Sequence, residues 1–193
     1  MAIGDFSYGQ YGLTEIDSYS SSTMASSIFV DIQDSSQNNG IVKIIGSIQT
    51  DSPNNHYLAG AFADSSNNQL NAEYRNISSG TTSSGGSESS SLIYLTRFLI
   101  ENSNYTSYDP VALGSAVGMI EFEATIALER TSTAPIRKPF IAIRANYFSG
   151  ASFLTTYNTG TCLPNTTPTQ FKFYATDGNV TGSIKVFSLC AHS

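Results

Sequence analysis

The stretch IEFEATIALE, residues 120–129, carries the clearest hydrophobic pattern in the chain. Every second residue is apolar, and most of the residues between them are acidic or polar. Successive side chains of a β-strand point to opposite faces of a sheet, so this alternation predicts a strand with one face in the core and the other in water. The predicted core face consists of Ile120, Phe122, Ala124, Ile126 and Leu128.

Similar strand patterns lie on both sides of this stretch, separated by turn residues at roughly the 8–12-residue spacing of β-sandwiches. We predict an all-β fold, an antiparallel two-sheet sandwich of jelly-roll type. An immunoglobulin-like sandwich is disfavoured because the chain has no Trp. The run Leu92–Ile100 would also suit a short helix, and its context favours a strand. The other predicted strands are Ile28–Ile32, Ile41–Ile48, Tyr57–Ala63, Gln69–Ile77, Pro139–Phe148, Phe153–Cys162, Phe171–Ala175 and Ser183–Leu189.

Three polar segments between the strands are interpreted from their turn chemistry. Residues 33–40 contain Asp, Asn and Gly, and we expect them to close a hairpin between the two strands that flank them. Asp177-Gly178-Asn179 predicts a second hairpin turn, near the C-terminus. Residues 78–91, SSGTTSSGGSESSS, have no apolar side chain to bury, so they are predicted as a flexible surface loop.

Composition limits the classes of partner. The chain has 193 residues, of which 40% are hydrophobic, and this is enough apolar material for one core. The net charge is −6 and the nine Lys and Arg residues are scattered, whereas binding to a phosphate backbone needs clustered cations. We therefore expect no nucleic-acid partner. The first thirty residues lack a signal-peptide pattern and no apolar segment approaches the roughly 18 residues of a membrane span, so no membrane partner is expected.

The sequence offers little material for catalysis. Its histidines are His56 and His192, no Ser lies in a G-x-S-x-G pattern, and metal-binding or phosphate-binding motifs are absent. Glu121 and Glu123 share a strand face, but alternating acids on an exposed face are what solubility alone would produce. We expect a non-enzymatic protein without metal or cofactor. Cys162 and Cys190 are expected to be free thiols, although their pairing cannot be read from the sequence.

Residues 1–26 precede the predicted domain, residues 27–193, and follow neither a helical nor a clean strand period. They are nevertheless rich in apolar and aromatic side chains, which a solvated tail normally lacks. We predict an extended N-terminal arm that buries these side chains against the domain or a partner. The alternative interpretation, a first edge strand followed by a loop, is supported equally. The predicted assembly contacts are Ile3, Phe6, Tyr8, Tyr11, Leu13, Ile16 and Tyr19.

The segment QFKFYATDGNVTGSIKVFSL, residues 170–189, resembles the closing hairpin of small jelly-roll virion proteins of tailed bacteriophages. The features in common are a strand running into an Asp-Gly-Asn turn, then Gly182-Ser183 and a final alternating strand. The order of elements over residues 27–189 is similar as well. This chain departs from the family pattern at its end, where Phe187-Ser188-Leu189 replaces an aromatic residue followed by Gly and an aliphatic residue.

The resemblance implies a non-enzymatic structural protein on the exterior of a virion. A capsid decoration or cement protein is the leading interpretation, bound as a trimer to the major capsid protein or other virion subunits. The predicted arm favours cement because an extended segment can reach a neighbouring subunit. The alternatives are a tail or neck fibre module whose Tyr-rich loop, with Tyr105 and Tyr108, recognises host glycans, and a carbohydrate-active enzyme or lectin-like domain.

Overall fold

The structure is a computed structural model, and within the residues it describes all regular secondary structure is β. The all-β prediction is thus confirmed. The described ranges are 11–33, 39–51, 57–70, 74–80, 83–90, 93–95, 98–102, 105–109, 119–129, 139–149, 152–161 and 168–191. The strands are β1 (Tyr11–Ala25), β2 (Ile28–Asp31), β3 (Asn39–Thr50), β4 (Leu58–Ala63), β5 (Tyr74–Gly80), β6 (Ser83–Ser90), β7 (Ile93–Tyr94), β8 (Phe98–Asn102), β9 (Tyr105–Asp109), β10 (Ile120–Glu129), β11 (Phe140–Ser149), β12 (Ser152–Thr161), β13 (Gln170–Ala175) and β14 (Val180–Ala191).

The strands form two antiparallel sheets that pack face to face. The larger sheet has the order β1-β14-β3-β10-β11-β12-β5-β6 and the smaller one β2-β13-β4-β7, while β8 and β9 pair with each other. Phe122 on the larger sheet contacts Phe173 on the smaller sheet, with 4.8 Å between the ring centroids. Buried aliphatic side chains from both sheets complete one hydrophobic cluster. The structure therefore has the two antiparallel sheets that were predicted, and the core that they share is what a sandwich requires.

Strand β10 has the burial that its sequence predicts. Ile120, Phe122, Ala124 and Ile126 are buried, whereas Glu121 and Glu123 are exposed. The hydrophobic effect explains this orientation, because each of the larger side chains, Ile120, Phe122 and Ile126, gains about 1.5–3 kcal/mol on full burial and the carboxylates remain hydrated.

The smaller sheet is packed most tightly around the ring of Phe171. This ring makes an edge contact with Phe62, at 5.3 Å between centroids and an interplanar angle of 88°, and it lies 4.9 Å from the ring of Phe173. A Cβ atom added to Gly60 on β4 would lie only 2.4 Å from Cε1 of Phe171. The backbone of β4 can approach the ring because residue 60 has no side chain.

Both predicted hairpins at polar turns are wrong. Strands β2 and β3 flank residues 33–40, yet β2 pairs with β13 while β3 pairs with β14 and β10. Strands β13 and β14 flank the Asp-Gly-Asn turn and likewise belong to different sheets. The strands on either side of each segment thus lie in different sheets, because turn residues only reverse or bend the chain and the core decides which strand becomes the neighbour. Gly178 supplies the positive φ, 87°, that the Asp-Gly-Asn turn requires.

The predicted loop at residues 78–91 is also wrong over most of its length. β5 and β6 pair as a hairpin there, and β5 pairs with β12 over Ile77–Gly80. The loop was predicted because residues 78–91 have no apolar side chains. Main-chain hydrogen bonds to a neighbouring strand form without apolar side chains, so strands can form in such a segment. The single strand predicted at Leu92–Ile100 is divided between β7 and β8, and the following Tyr-rich segment contains β9.

The predicted arm is not confirmed over the residues that the structure describes. Strand β1 forms the edge of the larger sheet and pairs with β14 from Tyr11 to Ala25, as the edge-strand alternative predicts. The register shifts between Glu15 and Asp17, where the Asp17 carboxylate accepts hydrogen bonds from the backbone N–H groups of Ser18 (2.8 Å) and Asp31 (2.7 Å). Because Asp31 belongs to β2, this carboxylate ties the edge strand to the smaller sheet.

Candidate functional site

The solvent-facing side of the larger sheet, called the outer face below, carries an exposed apolar row. The strand register places one apolar residue from each of five neighbouring strands opposite the next. Three of these side chains are 44–54% exposed, a large fraction for aliphatic or aromatic groups. The apolar row consists of Leu13 on β1, Leu189 on β14, Ile41 on β3, Ala127 on β10 and Phe140 on β11.

The apolar row arises because strand β3 is apolar on both faces. In the run Ile41-Val-Lys-Ile-Ile, Val42 and Ile44 point into the core while Ile41 and Ile45 point outward with Lys43 between them. Single exposed apolar residues are ordinary on protein surfaces, but a contiguous apolar patch marks an interaction surface. The outer face is therefore the first candidate site.

Two ion pairs lie beside the apolar row and join neighbouring strands. Lys185 on β14 approaches Glu15 on β1 at 2.8 Å, and Lys43 on β3 approaches Glu123 on β10 at 2.7 Å. The hydrogen bond from Lys185 holds the pKa of Glu15 below its ordinary value. All four side chains are substantially exposed, so solvent screens both pairs and neither stabilises the fold strongly.

A groove of about 570 Å³ lies next to these ion pairs on the outer face, across β14, β3, β10 and β11. Ser183 of β14 and Ser47 of β3 are opposite each other, and their short side chains leave a depression between longer neighbours. The apolar side chains of Ile45 and Phe187 also line it. The charged and amide side chains that line the groove are Glu121, Glu123, Arg144, Asn146 and Lys185.

Several polar groups of the groove remain available for a ligand. Within the described part of the chain, neither the Glu121 carboxylate nor the Arg144 guanidinium has an ion-pair partner. The Asn146 carbonyl oxygen accepts a hydrogen bond from the Thr155 hydroxyl at 2.9 Å, which leaves the amide NH₂ group as a donor. The groove thus combines an acceptor and two donors with an apolar wall.

The structure distributes the predicted contact residues among different environments. Ile3, Phe6 and Tyr8 lie outside the described residues, and Tyr11 begins β1 but its side chain is not described. Leu13 lies on the apolar row. The remaining two, Ile16 and Tyr19, are partly buried and pack against the hydrophobic core.

Sequence reasoning missed most of the outer face. The sequence places Ile41, Leu189 and Phe140 in strands but does not show which face of the sheet each one occupies. The spacing of Ile41, Lys43 and Ile45 was a usable signal, because alternate residues of a strand lie on the same face as the exposed Lys. The two glutamates of the predicted water face have different surroundings, since Glu123 pairs with Lys43 while Glu121 faces the groove. His56, His192 and Cys162 lie outside the described residues, as do the side chains of Cys190, Tyr105 and Tyr108.

The described ranges contain neither a cluster of metal ligands nor a membrane-spanning helix. No group of three His, Cys, Asp or Glu side chains there could hold a metal ion. The described chain also contains no helix with the length and apolar character needed to cross a membrane. No protein-family model, curated protein or solved structure matches this chain.

Proposed function

We propose that this protein is a non-enzymatic structural component of a virion that decorates the capsid and binds it through the outer face of the larger sheet. The apolar row carries the proposal. Its side chains are contiguous and held on a rigid sheet, and all of them except the half-buried Leu189 are exposed, so a partner can bury them with little loss of conformational entropy. Protein–protein contact is the use that such a patch suits best.

The strand order supports a jelly roll, the fold on which the virion assignment depends. Eight of the strands pair in a nested way, the first with the last and so inward: β1 with β14, β2 with β13, β3 with β10, and β4 with β7. An antiparallel ribbon folded over on itself gives this pairing, which is that of the eight-stranded jelly roll of capsid and lectin domains. In this assignment β5, β6, β11 and β12 extend the larger sheet beyond β10. The virion itself rests on the family resemblance, since one fold serves many functions.

The proposed partner is the major capsid protein, contacted by a trimer of this chain on the outside of the particle. We now restrict the proposed arm to residues 1–10, because β1 begins at Tyr11. Ten residues reach at most about 36 Å when fully extended, enough to contact a neighbouring subunit. Ile3, Phe6 and Tyr8 would be its contacts, and the apolar row would be the main docking surface.

A binding assay with capsids that lack this protein tests the proposal. The capsids are isolated from the encoding virus after its gene for this chain has been disrupted. We expect Ile41→Ser and Phe140→Ser each to weaken binding by about tenfold, the loss produced by removing a side chain worth about 1.4 kcal/mol at an interface. The control is Met119→Ser, because Met119 is 57% exposed and lies outside the apolar row.

Two further measurements examine the arm and the trimer. Deleting residues 1–10 leaves β1 intact, whereas a deletion to residue 22 would also remove most of the β1–β14 ladder. We expect the shorter deletion to reduce capsid occupancy, and light scattering to give three times the 20.7 kDa of one chain. Unchanged binding of the folded Ile41→Ser and Phe140→Ser variants would refute the outer face as the docking surface. A monomeric mass would refute the trimer.

A further inference from the structure

We infer that the groove on the outer face binds a neutral carbohydrate. This binding site lies beside the apolar row and does not depend on the proposed role in a virion. Three features of the groove carry the inference: its balance of charge, its unpaired hydrogen-bonding groups and its apolar wall.

The charges in and around the groove cancel, although the whole chain has a net charge of −6. Ion pairs neutralise Glu123 and Lys185, because these groups contact Lys43 and Glu15 respectively. The remaining charges in the groove are the Glu121 carboxylate and the Arg144 guanidinium, one of each sign. A polyanion such as a nucleic acid needs a surplus of cations, and a polycation needs a surplus of acids. The groove therefore suits a ligand without net charge.

The unpaired polar groups suit hydroxyl groups in particular. Glu121 is opposite Asn146 in the ladder between β10 and β11, and Arg144 lies two residues from Asn146 along β11. Residues related in this way are about 7–8 Å apart at most on one face of a sheet, so one small ligand can contact all three. A carboxylate accepts hydrogen bonds, whereas guanidinium and amide NH₂ groups donate them. Each sugar hydroxyl can do both, and a carbohydrate presents several hydroxyls in a fixed geometry.

The apolar wall of the groove suits the apolar face of a sugar ring. Ile45 and Phe187 line the groove. Tyr157 on β12 lies outside this lining, but it is opposite Arg144 and is 45% exposed. A pyranose ring has a face of C–H groups as well as a rim of hydroxyls, and aromatic rings provide large contact surfaces for such a face. An inorganic ion would contact only the polar groups, so the apolar wall favours a sugar over an ion.

The size of the groove limits the ligand to a short oligosaccharide. Its volume of about 570 Å³ lies within the range of about 300–1,000 Å³ that small-molecule sites occupy. The groove is open to solvent along the outer face, so the sugar is held on one side. Affinity is expected to be modest, in the range of about 10 μM to 1 mM, because little of the ligand surface is buried.

Titration of the whole protein with defined trisaccharides, followed by amide chemical shifts, tests the inference. The neutral probes are maltotriose, cellotriose, mannotriose and N,N′,N″-triacetylchitotriose, with a sulfated heparin trisaccharide as the anionic comparison. We expect at least one neutral probe to shift amides of β3, β10, β11 and β14 in a saturable manner. Glu121→Gln and Arg144→Gln are expected to weaken that binding at least tenfold, and both side chains are exposed, so the fold should tolerate the changes.

The matched control is Thr125→Ala, on the same strand and face as Glu121 but outside the groove, and it should bind the sugar as the parent protein does. Ile41→Ser should also leave sugar binding unchanged, which separates this site from the capsid-docking surface. Failure of all four neutral probes to bind would overturn the inference. Tighter binding of the sulfated probe, or unchanged affinity of the Glu121→Gln and Arg144→Gln variants, would overturn it as well.

Discussion

Replacing Gly60 with alanine tests the packing of the smaller sheet at its tightest point. The added Cβ would lie 2.4 Å from Cε1 and 2.5 Å from Cζ of Phe171, whereas ordinary contacts of this kind begin at 3.4 Å. The ring would have to move by about 1 Å to restore such a contact. Its freedom to move is small, because it contacts the rings of Phe62 and Phe173 on either side.

The expected cost follows from two opposing effects. Overpacking a core by one methyl group typically costs about 1–3 kcal/mol. The loss of glycine flexibility in the unfolded chain returns about 0.4–1 kcal/mol. We therefore expect Gly60→Ala to lower the free energy of unfolding by about 1–2 kcal/mol. For a domain of this size the melting temperature would fall by about 2–8 °C.

Gly40→Ala is the matched control, because a Cβ added to Gly40 would meet no atom of the described residues within 4 Å. This variant should be as stable as the parent protein or slightly more stable. Urea unfolding followed by circular dichroism gives both values, and it also shows whether the dependence on urea is unchanged. A second variant, Phe171→Leu, removes part of the ring. Phe171→Leu should lower the free energy of unfolding less in the Gly60→Ala background than in the parent protein, and the difference should be about 0.5–3 kcal/mol.

Equal stability of the Gly60→Ala and Gly40→Ala variants would refute the reasoning. It would mean that the Phe171 ring does not lie against the backbone of β4. Strict additivity of Gly60→Ala and Phe171→Leu would lead to the same conclusion, because residues in contact are expected to show coupling.

Three further predictions concern single side chains. Tyr147→Phe should raise the free energy of unfolding by about 1 kcal/mol, because the Tyr147 hydroxyl is buried and has no hydrogen-bond partner within the described chain. Burial raises the pKa of Tyr147 above its ordinary value of 10.0. The unfolded chain therefore ionises first above pH 10, and the parent protein should lose stability there. Urea unfolding at pH 8 and pH 11 should show a smaller loss of stability for Tyr147→Phe than for the parent protein. Gly178→Ala should lower the free energy of unfolding by about 1–2 kcal/mol, because φ of residue 178 is 87°. Gly178→Asn should lower it less, and thermal unfolding measures both changes. Equal changes would argue against the positive φ. Asp17→Ala should cost about 1 kcal/mol and accelerate hydrogen exchange at the amide of Asp31, and unchanged exchange would contradict the 2.7 Å hydrogen bond.

The sequence predicted the fold class well where the pattern is local and one-sided. Strand β10 is the best example, since alternate residues from Ile120 to Ile126 are buried and Glu121 and Glu123 are exposed. It also predicted that these glutamates lie on a water face. The groove could not be predicted, because it needs Ser47 and Ser183 from strands that are distant in the chain and adjacent only through their register.

Local sequence pattern was enough to predict an all-β chain with strands at most of the observed positions, because alternation and turn residues act over a few neighbours. Tertiary structure alone decided which strands pair. It placed the strands that flank two predicted hairpin turns in different sheets and made β1 an edge strand. The physical reason is that hydrogen bonding along a ladder is nearly the same for any partner, whereas burial of the core selects one arrangement. The same selection aligned Leu13, Ile41 and Phe140 on the outer face and placed Glu121 opposite Asn146 in the groove.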